Sequence, residues 1–242
     1  MKIKCVWEHH GDSTLLHAVD FPGAFTRGES KEAALRKMPG EILAYGAWRG
    51  LEIPEPVTVE IIQEKSSDLQ ICDADSDVIF DTEKTPLSME EYLTLKALSL
   101  KSASDFLELY NAVPDPDKSC LEERTTFYGK VPRTAREMYE HTKNVNAYYF
   151  GEIGIDADND GTIYDCRQRG FALLEQIPGF LDIPAAEGSY GELWSLRKVL
   201  RRFVWHDRIH AKAMYRMALK TFPELKSSDR LKAVHLSFES HH

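Results

Sequence analysis

The strongest constraint on this chain is a change of hydrophobic period near residue 87. Before it, apolar residues come in short alternating runs bounded by turn residues. After it, they recur every three to four residues behind helix-starting signals. Ser88-x-x-Glu91, Thr134-x-x-Glu137 and Ser189-x-x-Glu192 each have the form of a capping box, in which a hydroxyl and a carboxylate satisfy orphan amides at a helix start. They predict helices near 88–112, 133–152 and 189–219, and residues 162–177 supply a fourth. The expectation for 88–242 is an all-α, up-down four-helix bundle.

Residues 1–65 read as a separate α+β unit. Ile3 to Trp7, Leu15 to Val19 and Val57 to Ile62 are strand candidates, and Ser30 caps a helix running to about Trp48. Pro39 interrupts that helical pattern and predicts a break or kink there. Residues 66–87, acidic and rich in turn formers, read as the segment that connects the two parts.

Charge and cysteine usage narrow the functional classes. Thirty basic against thirty-nine acidic residues leave a net charge of -9, which disfavours sequence-independent binding to nucleic acid or anionic membrane. No apolar run approaches the roughly 18 residues of a membrane span, and the polar N-terminus lacks the apolar core of a signal peptide. Cys5, Cys72, Cys120 and Cys166 are widely spaced and read as reduced thiols of a cytoplasmic protein.

The informative chemistry is His206-Asp-Arg-Ile-His210 together with His141. Positions i and i+4 share a helix face, so both imidazoles of the pair can approach one ion. They fall on the apolar stripe Val199, Phe203, His206, His210, Met214 and Met217, and His141 holds the equivalent place between Met138 and Val145 in its own helix. Three nitrogens from two helices would leave a coordination position open for water or substrate. The alternative is three core histidines satisfied by backbone carbonyls. A second alternative is a zincin, with Asp207 in place of the general-base Glu; its side chain is one methylene shorter, and no downstream ligand is evident.

Here the chain resembles a known family. Phe127-Tyr-Gly-Lys-Val-Pro-Arg-Thr-Ala-Arg-Glu-Met-Tyr-Glu-His141, followed by Trp194-Ser-Leu-Arg-Lys-Val-Leu-Arg-Arg-Phe-Val-Trp-His206-Asp-Arg-Ile-His210, is similar to the DinB/YfiT-like metal-dependent family over residues 95–220. The resemblance implies a four-helix bundle with His141, His206 and His210 as metal ligands. It also implies a divalent transition metal (Zn, Ni, Fe or Mn) and, in some members, a low-molecular-weight thiol cosubstrate. The expected activity is that of a metal-dependent transferase or hydrolase acting on a small molecule. Glu137, one turn before His141, is a candidate base or ligand-orienting group. Arg197 and Arg201, with Arg208 further along, form a stripe able to pair with a cosubstrate's carboxylates; the other reading is a solvated basic face.

Asp20-Phe-Pro-Gly23-Ala-Phe25-Thr26-Arg-Gly28-Glu-Ser30-Lys-Glu32-Ala33 resembles the HicB-like antitoxin family over residues 1–65. Members bind a small RNase partner and commonly carry a DNA-binding tail, which a helical region replaces here. The resemblance leaves two roles open: a module covering substrate or joining a homodimer, or a partner-binding unit on a non-catalytic scaffold. Asp156 to Ile163 matches the first eight positions of an EF-hand loop, but position twelve is Arg167, a cation where calcium needs a carboxylate. His9-His10 and His241-His242 read as solvated pairs, and Tyr148, Tyr149, Trp194 and Trp205 as core or pocket walls.

Overall fold

Strand β1 (Lys2–His10) alternates its side chains between two covered faces. It pairs antiparallel with β2 (Ser13–Ala18), which pairs antiparallel with β3 (Phe25–Gly28). After helix α1 (Lys31–Arg49) the chain returns as β4 (Thr58–Ser66), parallel to β1, giving the order β3-β2-β1-β4. Four helices follow: α2 (Met89–Ala112), α3 (Ala135–Gly151), α4 (Ile163–Leu174) and α5 (Leu196–Thr221). This computed structural model describes residues 1–73, 75–126 and 129–227. Among the described residues the protein is thus a mixed α/β chain with five α-helices and a small N-terminal sheet, and no helix there is long and apolar enough to cross a membrane.

Local rules account for most of the boundaries. Ser88 and Thr134 cap α2 and α3 through complete capping boxes with Glu91 and Glu137, and Thr162 does the same for α4 with Asp165. Two expectations need correction. Pro39 does not break α1, which continues through it to Gly50, a left-handed C-cap at φ 64°. Packing overrides the lost backbone bond, because Met38, Ile42, Tyr45 and Trp48 are all buried on either side of it. The last helix does not begin at Ser189. Tyr190 sits at φ 61°, Ala186–Glu187 pairs with Leu193–Trp194, and the N-cap is Ser195, whose hydroxyl accepts from the Lys198 amide.

The helical region packs as two adjoining clusters. Phe106, Leu109, Met138, Tyr139, Met214 and Met217 fill one, and Tyr92, Phe150, Phe171, Trp194, Val199 and Phe203 fill the other. The N-terminal unit packs against this region directly. Val204 of α5 and Leu98 of α2 join Ile3, Cys5, Leu16, Met38 and Tyr45 in one apolar cluster. Gly23, at φ 88° in the turn before β3, lies so close to α5 that a Cβ there would meet Val204 Cγ1 at 2.5 Å.

The 66–87 segment is pinned on both sides. The carbonyls of Ser76, Asp77 and Val78 accept from Arg202, Lys198 and Arg201 of α5. Glu83 is gripped by Arg201 through both carboxylate oxygens. On the sheet side, buried Glu8 accepts from the Ser76 hydroxyl at 2.6 Å, the Asp77 amide at 3.1 Å and His17 Nε2 at 3.4 Å. A carboxylate acceptor requires the proton on Nε2 of His17, and burial lowers that imidazole's affinity for a second proton. Burial opposes the Glu8 charge, but His17, Ser76 and Asp77 together outweigh it and hold the carboxyl at about 2.

Between α1 and α5 lies a buried charge cluster. Glu41, 4% exposed, accepts from Arg208 Nη2 at 2.9 Å and from the Lys212 ammonium. Burial disfavours the Glu41 charge, yet the two cations win and keep it ionised.

Two outcomes follow from these contacts. Glu41→Ala leaves two buried cations without their carboxylate and should lower unfolding stability by about 3–5 kcal/mol in guanidinium titration. Glu8 binds its proton less readily folded than unfolded, so its stabilisation is present above its ordinary value and lost as pH falls from 4.5 towards about 2. Stability measured against pH should therefore fall across that window, and the Glu8→Gln variant should show a flatter acid limb.

Candidate metal centre

Helix α5 presents three sectors at 100° per residue. Val199, Phe203, Asp207 and Met214 face the other helices, Arg201, Arg208 and Lys212 on the opposite side face the N-terminal unit and the connecting segment, and His206 and His210 fall in the sector around Val199, at the edge of the apolar face. That sector opens into a cleft of about 1380 Å³. His141 reaches it from α3, which packs against α5.

The three imidazoles converge. One nitrogen from each lies within 4.8 Å of the others, and ring centroids are 5.2 Å (His141–His206), 4.7 Å (His141–His210) and 4.5 Å (His206–His210) apart. Tetrahedral zinc with bonds of about 2.0–2.1 Å sets its nitrogens roughly 3.3 Å apart, so side-chain rotation closes the set. It is the one metal-capable cluster of its kind among the described residues. His206 is buried at 8% exposure, His210 half-buried and His141 exposed to the cleft.

Electrostatics favour the neutral, ligating form of all three. Burial lowers His141; burial and then the charge of His141 bring His210 down to about 3. Burial first, then His210, His141, Arg202 and Arg167, push His206 well below its ordinary value. Nδ1 of His206 is buried and meets no hydrogen-bond partner among the described residues. Such an orphan costs about 1–3 kcal/mol unless something outside the chain satisfies it. Imidazole donors, a missing partner and access from a cleft fit a divalent transition metal.

The walls come from the N-terminal unit, the connecting segment, α3, α5 and the segments that precede those two helices. Tyr148 and Tyr149 of α3 and Trp205 of α5 line the cleft, whereas Trp194 stands behind them, 5.4 Å from Tyr149 ring to ring. Tyr149 and Trp205 flank His206 at 6.0 and 6.3 Å. Phe25, Thr26, Arg27, Lys37 and Glu41 of the N-terminal unit form the opposite wall. Asp75 and Arg202 also border the cleft, and no local pattern singled them out, because the connecting segment brings Asp75 there through tertiary contacts.

Other candidates have different partners. Glu137 accepts from the Arg133 and Thr134 amides at 2.8 and 3.1 Å, and those bonds hold its carboxyl below its usual value. Arg197 donates to Thr85 O, Pro86 O and Glu91, and Arg201 to Glu83 and Val78 O. The stripe is not a solvated face: Arg201 and Arg208 are 4% and 0% exposed. Asp207, the base of the zincin reading, points away from the cleft, bonded by Arg167 and by Ser102 at 2.5 Å. In the EF-hand-like loop, Asp158 is taken by Arg169 at 3.1 Å. His9 pairs with Glu64 at 3.2 Å and His10 is exposed, while His235, His241 and His242 lie outside the described residues, as do Phe127 and Tyr128.

Compared with known proteins, the chain matches no family model, no curated protein and no solved structure.

The position of Asp207 gives a separable outcome. Asp207→Ala should lower stability by about 3–5 kcal/mol through the stranded Arg167, with metal content unchanged. Unchanged stability with lost metal or activity would return Asp207 to the site.

Proposed function

We propose that this protein is a metal-dependent enzyme, with His141, His206 and His210 holding one divalent transition metal ion and a small molecule filling the cleft. The observation that carries the reading is the convergence of three neutral imidazoles from two helices at a cleft wall instead of inside the solid core. When bound there, the metal would supply Lewis acidity and lower the pKa of a water or thiol in its open position. The resemblance to the DinB/YfiT-like family makes transfer of a low-molecular-weight thiol to an electrophile the reaction of choice, with hydrolysis as its counterpart for water. The helices α2 to α5 would then form the up-down bundle of that family.

The chain's own groups have definable parts in this reading. Tyr148, Tyr149 and Trp205 exclude water from the substrate's apolar portion. Asp75 offers a buried carboxylate oxygen with no described partner, and burial followed by the charge of Asp73 raises its proton affinity. The HicB-like unit covers the substrate, since β3 and α1 supply one wall of the cleft. That use of the unit favours an enzyme over a partner-binding scaffold. All four cysteines are free, which supports a cytoplasmic setting; a homodimer is the accompanying oligomeric proposal.

Elemental analysis of tag-free protein purified without a metal column tests the reading. Wild type should carry about one equivalent of Zn, Ni, Fe or Mn. The metal should be lost in His141→Ala/His206→Ala/His210→Ala and kept in a variant lacking His241 and His242. Protein that carries no metal and binds none of the four on addition would overturn the proposal and leave the histidines as packing residues.

A further inference from the structure

The cleft has a charge that the chain as a whole does not. The protein carries a net charge of -9, yet basic side chains outnumber acidic ones around this opening. Most of the acids there are already neutralised. Glu41 is held by Arg208 and Lys212, Asp73 by Arg124, Asp77 by Lys65 at 2.6 Å and Glu192 by Lys198 at 2.8 Å.

Several cations there are not neutralised. Arg27 of β3 and Arg216 of α5 have no carboxylate partner among the described residues, nor has Lys220. Nε of Arg133, which also lines the cleft, is buried without a hydrogen-bond partner among the described residues. Arg27 and Arg216 also repel each other: burial and then the Arg27 charge lower the proton affinity of Arg216. Geometry brings their elements together at the cleft: Phe25, on the same face of β3 two residues before Arg27, has its ring 5.1 Å from the Lys212 ammonium, one turn before Arg216 on α5, and both arginines are exposed there. The same arrangement is complementary to a planar or tetrahedral oxyanion, which can accept from both forks.

We propose that Arg27 and Arg216 form an anion subsite of the cleft, which takes the carboxylate or phosphate group of a small-molecule substrate whose reacting end lies at the three histidines. Arg216 follows His210 by six residues, about 9 Å along the helix axis, so the ligand would hold its anionic and reacting groups about that far apart. Arg133 and Lys220 add to the positive field that draws such a ligand in. The position of the reacting end rests on the metal-centre reading; the anion subsite itself does not. Arg27 comes from the N-terminal unit and Arg216 from the last helix, so the subsite exists only when those two parts are docked.

The test uses the full chain in phosphate-free buffer, with inorganic phosphate and succinate as probes. Arginine modification by phenylglyoxal, mapped by mass spectrometry, should slow several-fold at Arg27 and Arg216 when a probe is present. Exposed Arg36 on α1 serves as the internal control and should be unaffected. Calorimetric titration should show that Arg27→Gln and Arg216→Gln each weaken probe binding about tenfold or more, with metal content unchanged. Both side chains are exposed, so neither substitution removes a core contact and the thermal midpoint without anion should stay close to that of wild type, which separates the effect from misfolding. A preference between the probes tells a phosphate ester from a carboxylate.

Equal modification of both arginines with and without the probes would overturn the proposal. Variants that bind the probes like wild type would overturn it too, as would protection by a short oligonucleotide alone. Protein that holds no metal but still binds phosphate through Arg27 and Arg216 would support the subsite and remove the metal reading alone.

Discussion

The structure depends on the basic sector of one helix. Lys198, Arg201, Arg202, Arg208 and Lys212 are all largely buried on α5, and each meets an oxygen from an earlier part of the chain. A buried ammonium or guanidinium is tolerable only with such partners, and the partners are equally costly without the cations. The sheet, α1 and the connecting segment are therefore fixed in place by charge as well as by the apolar cluster around Val204. Because these contacts are directional, they set the orientation of the N-terminal unit, and with it the shape of the cleft wall opposite the histidines.

What could be read in the sequence follows the range of the interactions responsible. Capping boxes at Ser88 and Thr134 are complete within four residues, and both helices start where those patterns put them. His206 and His210 are one turn apart, so their common face follows from helix geometry alone. Ser189-x-x-Glu192 has the same local form but starts only a single 3-10 turn over Ser189–Gly191 and no α-helix. The real N-cap, Ser195, is followed at the third helical position by Lys198, a residue chosen for carbonyls at Asp77 and Leu193. No window around Ser195 contains that reason.

The arginine stripe shows the same limit more sharply. From spacing alone, Arg197, Arg201 and Arg208 suit either a substrate's carboxylates or solvent. Their observed partners, Glu91, Glu83 and Glu41, come from α2, the connecting segment and α1, 106 to 167 residues away in sequence. Arg27 and Arg216, the cleft arginines without a carboxylate partner among the described residues, belong to no shared sequence pattern and come to one cleft only through the docking of β3 against α5. Charge counting along the chain reports composition, whereas pairing in three dimensions decides which charges remain available.

The late position of α5 in the chain also orders its assembly during synthesis. The sheet and α1 emerge first, with Glu8 and Glu41 already in place and the cations that neutralise their surroundings still unmade. Until residues 196–221 arrive, the N-terminal unit keeps an apolar face around Ile3, Cys5 and Met38 and an unpaired carboxylate at Glu41 open to water. A ribosome stalled between these segments would present a nascent chain with a bare apolar surface, a substrate for chaperones. His206 and His210 both lie on α5, so a translation product that ends before this helix cannot bring the three histidines together.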